Sequence, residues 1–169
     1  MVSSRLRLVT LAGMFVALVF VSKLYLSFTL PLFRLSFHDV ALFLSGMLLG
    51  PFFGVVIAFS ADTLYALQSG FPFSFLMSLS DAVVGLSAGV FLYTKRVKLS
   101  IPRLALVVIL TTLVTFGINS LQLFLWFNTG MFASLPWRLL ATIIKWPISI
   151  LILWGIAPRL SVILYPEAH

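Results

Sequence analysis

The chain contains no cysteine, which excludes disulfides, zinc–thiolate sites and thiol catalysis and leaves the redox compartment open. Charge is scarce as well. Only 9% of residues are Asp, Glu, Lys or Arg, against roughly 25% in a soluble domain. Acidic residues number four and histidines two. The chain shows no Gly-x-Ser-x-Gly elbow, no metal-ligand constellation and no phosphate-binding G-x-x-x-x-G-K-[ST] loop. No segment is polar enough to form a separate water-soluble domain, and strict alternation of apolar and polar residues is missing, which argues against a β-barrel. What is present is apolar: 62% of residues are hydrophobic and the mean hydropathy is +1.18. At 169 residues there is room for about six helical spans of roughly 20 residues each. The expected fold class is therefore all-α: one six-helix transmembrane domain covering residues 1–169.

The spans read as residues 6–26, 37–49, 52–68, 73–93, 102–127 and 136–158. Arg5 and Arg7 precede a long apolar run without an evident small-residue cleavage site, so the first is kept as a span rather than a signal peptide. The segment 27–36, with Pro31 and Arg34, reads as a loop. Gly50-Pro51 predicts a tight turn, because proline biases the preceding residue away from helix. Residues 69–72 break the chain again, Asn128-Thr129-Gly130 ends the fifth span, and Pro147 interrupts the sixth. No internal repeat supports an inverted-repeat carrier.

Net charge is +7, and position gives it meaning. With six spans, Arg5, Arg7, Lys95, Arg96, Lys98, Arg103 and Arg159 fall on one side. The positive-inside rule puts that side, and both termini, in the cytoplasm. At about 1.5 Å per residue, Arg138 lies in the outer rim and Lys145 roughly 10 Å deeper on the same face. Asn119 and Gln122 reach the outer part of the fifth span, Asp81 sits about 12 Å below the outer surface, and Asp62 lies near the midplane. Strongly polar side chains thus gather in the outer half, above an inner half of Leu, Val, Ile and Phe. The pattern is a cup open to the outside, not a pore.

A cation at membrane depth costs at least a few kcal/mol, so Arg34, Arg138 and Lys145 point to an anionic solute. Each has a structural alternative. Lys23 and Arg138 are near span ends, where long cationic side chains snorkel to the interface. Lys145 is deeper, and either a ligand or an ion pair with Asp62 or Asp81 must satisfy it. Asn119 and Gln122 can bond neighbouring helices, and Trp126, Trp137 and Trp146 can serve as interface or packing residues. His38-Asp39 reads as a polar start to the second span rather than a metal site. Gly13 and Ala17 form a small-xxx-small element whose simplest role is close internal helix packing. Gly46, Gly50, Gly54 and Ala58 continue such spacing through the second and third spans.

Several short stretches carry a resemblance: Pro31-Leu32-Phe33-Arg34-Leu35-Ser36-Phe37, Leu44-Ser45-Gly46-Met47-Leu48-Leu49-Gly50-Pro51 with Gly54, Ala61-Asp62, and Leu135-Pro136-Trp137-Arg138-Leu139-Leu140. With its six spans and basic character, the chain resembles the substrate-binding S components of energy-coupling factor (ECF) vitamin transporters, the folate family most of all. The resemblance implies that Arg34 and Arg138 match recurrent family arginines. It places Gly13 and Ala17 where the family carries an Ala-xxx-Ala element against the transmembrane coupling subunit. It also implies two partner ATP-binding cassette ATPases and release by toppling of the whole subunit. Phe71-Pro72-Phe73-Ser74-Phe75 and His38-Asp39 depart from the family pattern near the expected pocket.

The expected function is high-affinity capture of folate from outside a bacterial cell membrane, without chemistry, cofactor or nucleic acid. Folate carries two carboxylates, for which arginine is the best-matched partner. Asn119, Gln122 and an aspartate, Asp81 or Asp62, could read its polar ring edge, and Phe75 or Trp126 could stack on its rings. Segment 27–36 is placed to act as a lid. Alternatives are an S component for another vitamin such as pantothenate, a stand-alone carrier, a channel, or an Asp62–Asp81 membrane enzyme.

Overall fold

The computed structural model of the protein describes residues 2–29, 34–70, 73–94, 99–127 and 135–164. Residues 31–33, Phe71-Pro72, Lys95, Arg96, Lys98 and the Asn128-Thr129-Gly130 stop lie outside the described residues, as do the side chains of Arg5, Arg34 and Trp126. Six helices make up the fold: α1 (Val2–Tyr25), α2 (His38–Leu49), α3 (Pro51–Ser69), α4 (Phe75–Phe91), α5 (Ile101–Phe127) and α6 (Leu135–Leu164). Between α1 and α2 the expected loop is instead a small antiparallel hairpin, β1 (Ser27–Thr29) and β2 (Arg34–Ser36), with Ser27 opposite Ser36. Strands of three residues are too short for alternation to announce them.

Local chemistry explains the helix ends. Gly50 takes φ +94° between α2 and α3, a conformation that costs glycine nothing, and Pro51 opens α3 where its missing N–H would be unpaired anyway. Gly70 closes α3 in the left-handed region, and the Ser74 hydroxyl accepts from the Met77 N–H at the start of α4. Beyond α4, the Thr94 N–H donates to the Met47 carbonyl (3.0 Å), satisfying an orphaned group in the last turn of α2. α6 runs without a break through Pro147 and past Pro158 to Leu164, further than expected, since bundle helices tolerate proline when neighbours cover the freed backbone groups.

α2 is the centre of the bundle. It packs against α1, α3, α4 and α6, and every residue from Val40 to Leu49 is buried. Its 12 residues reach only about 18 Å, less than the roughly 30 Å of a hydrocarbon core; a helix sheathed in protein need not match that thickness. Four helices are long and apolar enough to cross a membrane, over Leu6–Tyr25, Pro51–Ser69, Ile101–Leu125 and Leu135–Leu160. Their outward faces carry exposed Leu, Val, Ile, Phe and Met, including Val9, Met14, Leu110, Leu125 and Leu151, as a lipid solvent requires. The protein is thus a six-helix membrane bundle.

Glycines set the spacing of the centre. A Cβ on Gly46 of α2 would lie 2.3 Å from the Gly85 carbonyl oxygen of α4, and one on Gly54 of α3 would lie 2.6 Å from the same atom. One on Gly89 would fall 2.3 Å from the Pro51 nitrogen. The backbones of α2, α3 and α4 therefore touch, as the spacing of small residues predicts. Gly13 is different: a Cβ there would meet nothing within 4 Å, and Gly13 and Ala17 are both exposed on α1. The internal-packing expectation for this pair is corrected, because α1 turns Phe15, Val19, Ser22 and Lys23 inward instead.

Substitution separates these glycines. Gly46→Ala and Gly89→Ala are expected to destabilise by at least about 1–3 kcal/mol, the usual cost of overpacking, or to abolish folded yield. Gly117→Ala, with open space at its Cβ, should leave the melting temperature in detergent unchanged or slightly raised. Equal melting temperatures for all three variants would refute the backbone-contact account.

Candidate functional site

Buried polar side chains concentrate toward the end of the bundle that carries the β1–β2 hairpin. α5 turns Leu104, Val107 and Val108 inward in its first half, then Thr111, Thr115 and Gln122. α4 buries Ala88 and Leu92 at one end and Ser78, Ser80 and Asp81 at the other, and α6 buries Ala157 and Leu153 before Ser149 and Ala141. Buried polar groups thus gather at the hairpin end of the bundle.

A chain of ionic contacts ties five helices together there. The Lys23 ammonium donates to both Asp62 of α3 and Asp81 of α4. Snorkelling was the expectation for Lys23, yet it is only 7% exposed. It follows Phe15 and Val19 on the inward stripe of α1, so its side chain is directed into the bundle rather than to the interface. The Lys145 ammonium of α6 lies 2.5 Å from an Asp39 oxygen, not against Asp62 or Asp81. Lys23 already occupies those two, and central α2 brings Asp39 to face α6. His38 joins the halves: its Nε2 is 3.2 Å from Asp39 and 3.3 Å from Asp81, and its Nδ1 is 2.8 Å from the Ser36 hydroxyl of β2. His38-Asp39 does begin α2, as expected, but it also links the hairpin to the helices.

The occupied carboxylates change the chemistry open to them. One ligand atom each from His38, Asp39 and Asp81 lies within 4.8 Å of the others, yet Lys23 and Lys145 hold the same carboxylates, so a divalent cation would face two ammonium groups. Likewise, Asp81 is engaged through both oxygens, by Lys23 and His38, and Asp62 through one, by Lys23. Asp62 retains one buried oxygen, Oδ2, without a partner among the described residues.

Arg138 behaves differently from the lysines. Partly buried on α6, it places its guanidinium 5.5 Å from the centroid of the Phe116 ring, with Nη1 3.5 Å from the Ser120 hydroxyl of α5. None of its contacts among the described residues is a carboxylate. A cation held by a ring face and one long hydrogen bond keeps most of its donors for an incoming anion. Nearby, the Trp146 indole N–H donates to Thr112 (2.7 Å), a second rung between α5 and α6.

The other expected residues are distributed unevenly. Arg34 lies in β2 opposite Thr29, and Trp126 in the last turn of α5. Asn119 is partly buried on α5. Gln122 is 1% exposed, and its Oε1 has no partner among the described residues. Phe75 opens α4 but is 62% exposed, its ring tilted against Phe59 at 6.2 Å, so it stands outside the ionic chain. Sequence reasoning missed the pairing of Lys23, the role of Asp39, and buried Ser78 and Ser80. The stripe Phe15–Val19–Ser22 was the available signal for Lys23; nothing in the sequence marked the serines.

Comparison with known proteins adds independent information. The sequence pattern of a family described as "ECF transporter, substrate-specific component" matches residues 7–157. The folate transporter FolT of Clostridium novyi (strain NT) is 29% identical over 136 residues, covering 78% of this chain and 76% of its own length. A crystal structure of FolT bound with folic acid has the same fold, with a TM-score of 0.81, 24% identity, and coverage of 90% of this chain and 95% of that one.

The ionic chain has a thermodynamic signature. Lys145→Met should destabilise the bundle by about 3 kcal/mol, the lower end of the range for breaking a buried pair, because Asp39 and Lys145 retain some exposure. Asp39→Asn in the same chain should restore much of the loss. Lys23→Met should cost more, since it strands two carboxylates. Melting curves in detergent decide it: strictly additive effects of Lys145→Met and Asp39→Asn would show that the pair is not coupled.

Proposed function

The chain belongs to the substrate-specific components of ECF transporters, and from that premise we propose that it captures folate outside the cell for uptake driven by a separate ATP-hydrolysing module. The observation that carries this reading is the similarity to a folate transporter across most of both chains. The chemistry of the site agrees with it. Arg138 has no carboxylate among its contacts with the described residues, and bidentate arginine suits the carboxylates of folate. Arg34, in the hairpin above, is the second carboxylate partner. Asn119 lies on the adjoining stretch of α5, and Trp126 supplies a ring surface at its outer end. Lys145, Asp62 and Asp81 hold the helices that carry the site rather than contacting the ligand.

Orientation and partners complete the proposal. The basic residues at the ends of α1, α5 and α6 support, by the positive-inside rule, an orientation with both termini in the cytoplasm, and the location proposed is a bacterial cell membrane. The exposed Gly13–Ala17 face of α1 meets the transmembrane coupling subunit, where small residues permit close helix approach. Two ATPases bound to that subunit supply the energy, since the chain itself has no nucleotide-binding loop.

Mass spectrometry of small molecules co-purifying with the protein should find folate, and calorimetry should show tight binding. Arg138→Ala is expected to lose roughly 1–3 kcal/mol of affinity, as for a hydrogen bond to a charged group. Unchanged affinity would reduce Arg138 to an interface anchor. Accumulation of folate by liposomes containing the chain alone would contradict the need for an energising module.

A further inference from the structure

The β1–β2 hairpin is three residue pairs long, and a lone two-stranded hairpin is only marginally stable. Both residues of its basal pair, Ser27 and Ser36, are tied to the bundle through their hydroxyls. Ser27 donates to the Lys23 carbonyl of α1. Ser36, 9% exposed, shares a hydrogen bond of 2.8 Å with His38 Nδ1. The backbone closes the same end, where the Phe37 N–H donates to the Leu26 carbonyl at 3.3 Å.

The Ser36–His38 half of this clamp reaches further into the bundle. Phe37, the residue before α2, makes no side-chain cap bond, so the imidazole sets the junction between β2 and α2. His38 Nε2 faces Asp81 of α4 at 3.3 Å and Asp39 at 3.2 Å. A ring nitrogen between two carboxylate oxygens carries its hydrogen, which leaves Nδ1 for Ser36. A hydroxyl both donates and accepts, so the bond to Ser36 persists whichever charge the imidazole bears. Lys23 and Lys145 hold the two carboxylates in turn. Arg34 stands two residues from Ser36 on β2, opposite Thr29, about 7 Å along the strand. β2 also approaches α6, the helix that carries Arg138. A tilt of the hairpin at its base therefore displaces Arg34 at the other end.

We propose that Ser36 and His38 are positioning residues for ligand capture. They clamp the base of the hairpin to α4 and thereby hold the strand bearing Arg34 where Arg34 and Arg138 engage the carboxylates of one ligand. This rests on the reading of Arg34 as a carboxylate partner; Ser36 and His38 themselves do not touch the ligand. Their contribution is preorganisation, since a hairpin left to pivot must be ordered at each binding event, and that ordering is subtracted from affinity. Ser36 is the informative member of the pair. It carries no charge, so removing its hydroxyl opens the clamp and leaves every ion pair of the chain in place.

Calorimetry with folate and with pteroate, which lacks the glutamate carboxylates, tests the clamp. Ser36→Ala should weaken folate binding about 3–10-fold, the usual contribution of one hydrogen bond, and leave pteroate binding and the ligand-free melting temperature close to wild type. His38→Gln should weaken folate at least as much and also lower the melting temperature, because Asp81 loses a partner. Adding Ser36→Ala to His38→Gln should cost nothing further, since the bond is already gone. In an Arg34→Ala protein, itself weakened toward folate, Ser36→Ala should again have no further effect. Unchanged folate affinity in Ser36→Ala, an equal loss for pteroate, additive losses in the double variants, or wild-type affinity in Arg34→Ala would each overturn the positioning role while leaving folate capture intact. Absence of folate binding by the wild-type protein would instead overturn the capture reading.

Discussion

Two buried carboxylates and a third, half-buried one among apolar helices constrain this structure more than any other feature. Asp39, Asp62 and Asp81 come from α2, α3 and α4, and each must find a cation where water is absent. Lys23 crosses from α1 to two of them and Lys145 from α6 to the third. Such pairs are weak evidence of added stability, because desolvation offsets attraction; what they impose is register, since a mispaired charge is heavily penalised. The ionic chain determines how α1 and α6 are set against the three central helices.

The glycine contacts complement that constraint by a different mechanism. Association of helices in lipid relies on close packing and hydrogen bonds rather than on apolar burial. Gly46, Gly54, Gly85 and Gly89 bring backbones together, which favours dispersion contacts in the core of the bundle. The outer half cannot use the same device, because side chains with polar tips need room. The transition from touching backbones to spaced polar side chains along α4 creates the conditions for a ligand site at one end of an otherwise sealed bundle.

The sequence made six helices legible because apolar runs of this length and their Gly and Pro punctuation leave few alternatives. Gly50-Pro51 located the α2–α3 turn, and the short β1–β2 hairpin escaped because three-residue strands carry little pattern. The site was legible in part. Depth along each span drew attention to Asp62, Asp81 and Lys145, which belong to one ionic chain through Lys23, His38 and Asp39. Pairing was not legible, because it depends on the order of helices around α2. Without knowing that α2 is central, Asp39 looked like a helix-start residue and Lys23 like an interface anchor. Ser78 and Ser80 were invisible for a related reason: serine is common in apolar helices, and only burial without a partner distinguishes these two.

The rigidity of the protein is unevenly distributed. Where α2, α3 and α4 meet, main chains abut at glycines, and separating them would forfeit contact along whole helical turns. Between α4 and α5 the contact is made by side chains, apolar ones at one end and the Thr111–Ser87 hydroxyl pair further along, and between α5 and α6 by the Trp146–Thr112 bond and the Arg138 guanidinium over Phe116 beside Ser120. The bundle is therefore held in two ways: by abutting main chains at its centre and by side chains where α5 and α6 join it, so small side-chain changes on α5 and α6 alter their seams without disturbing the three helices that define the fold.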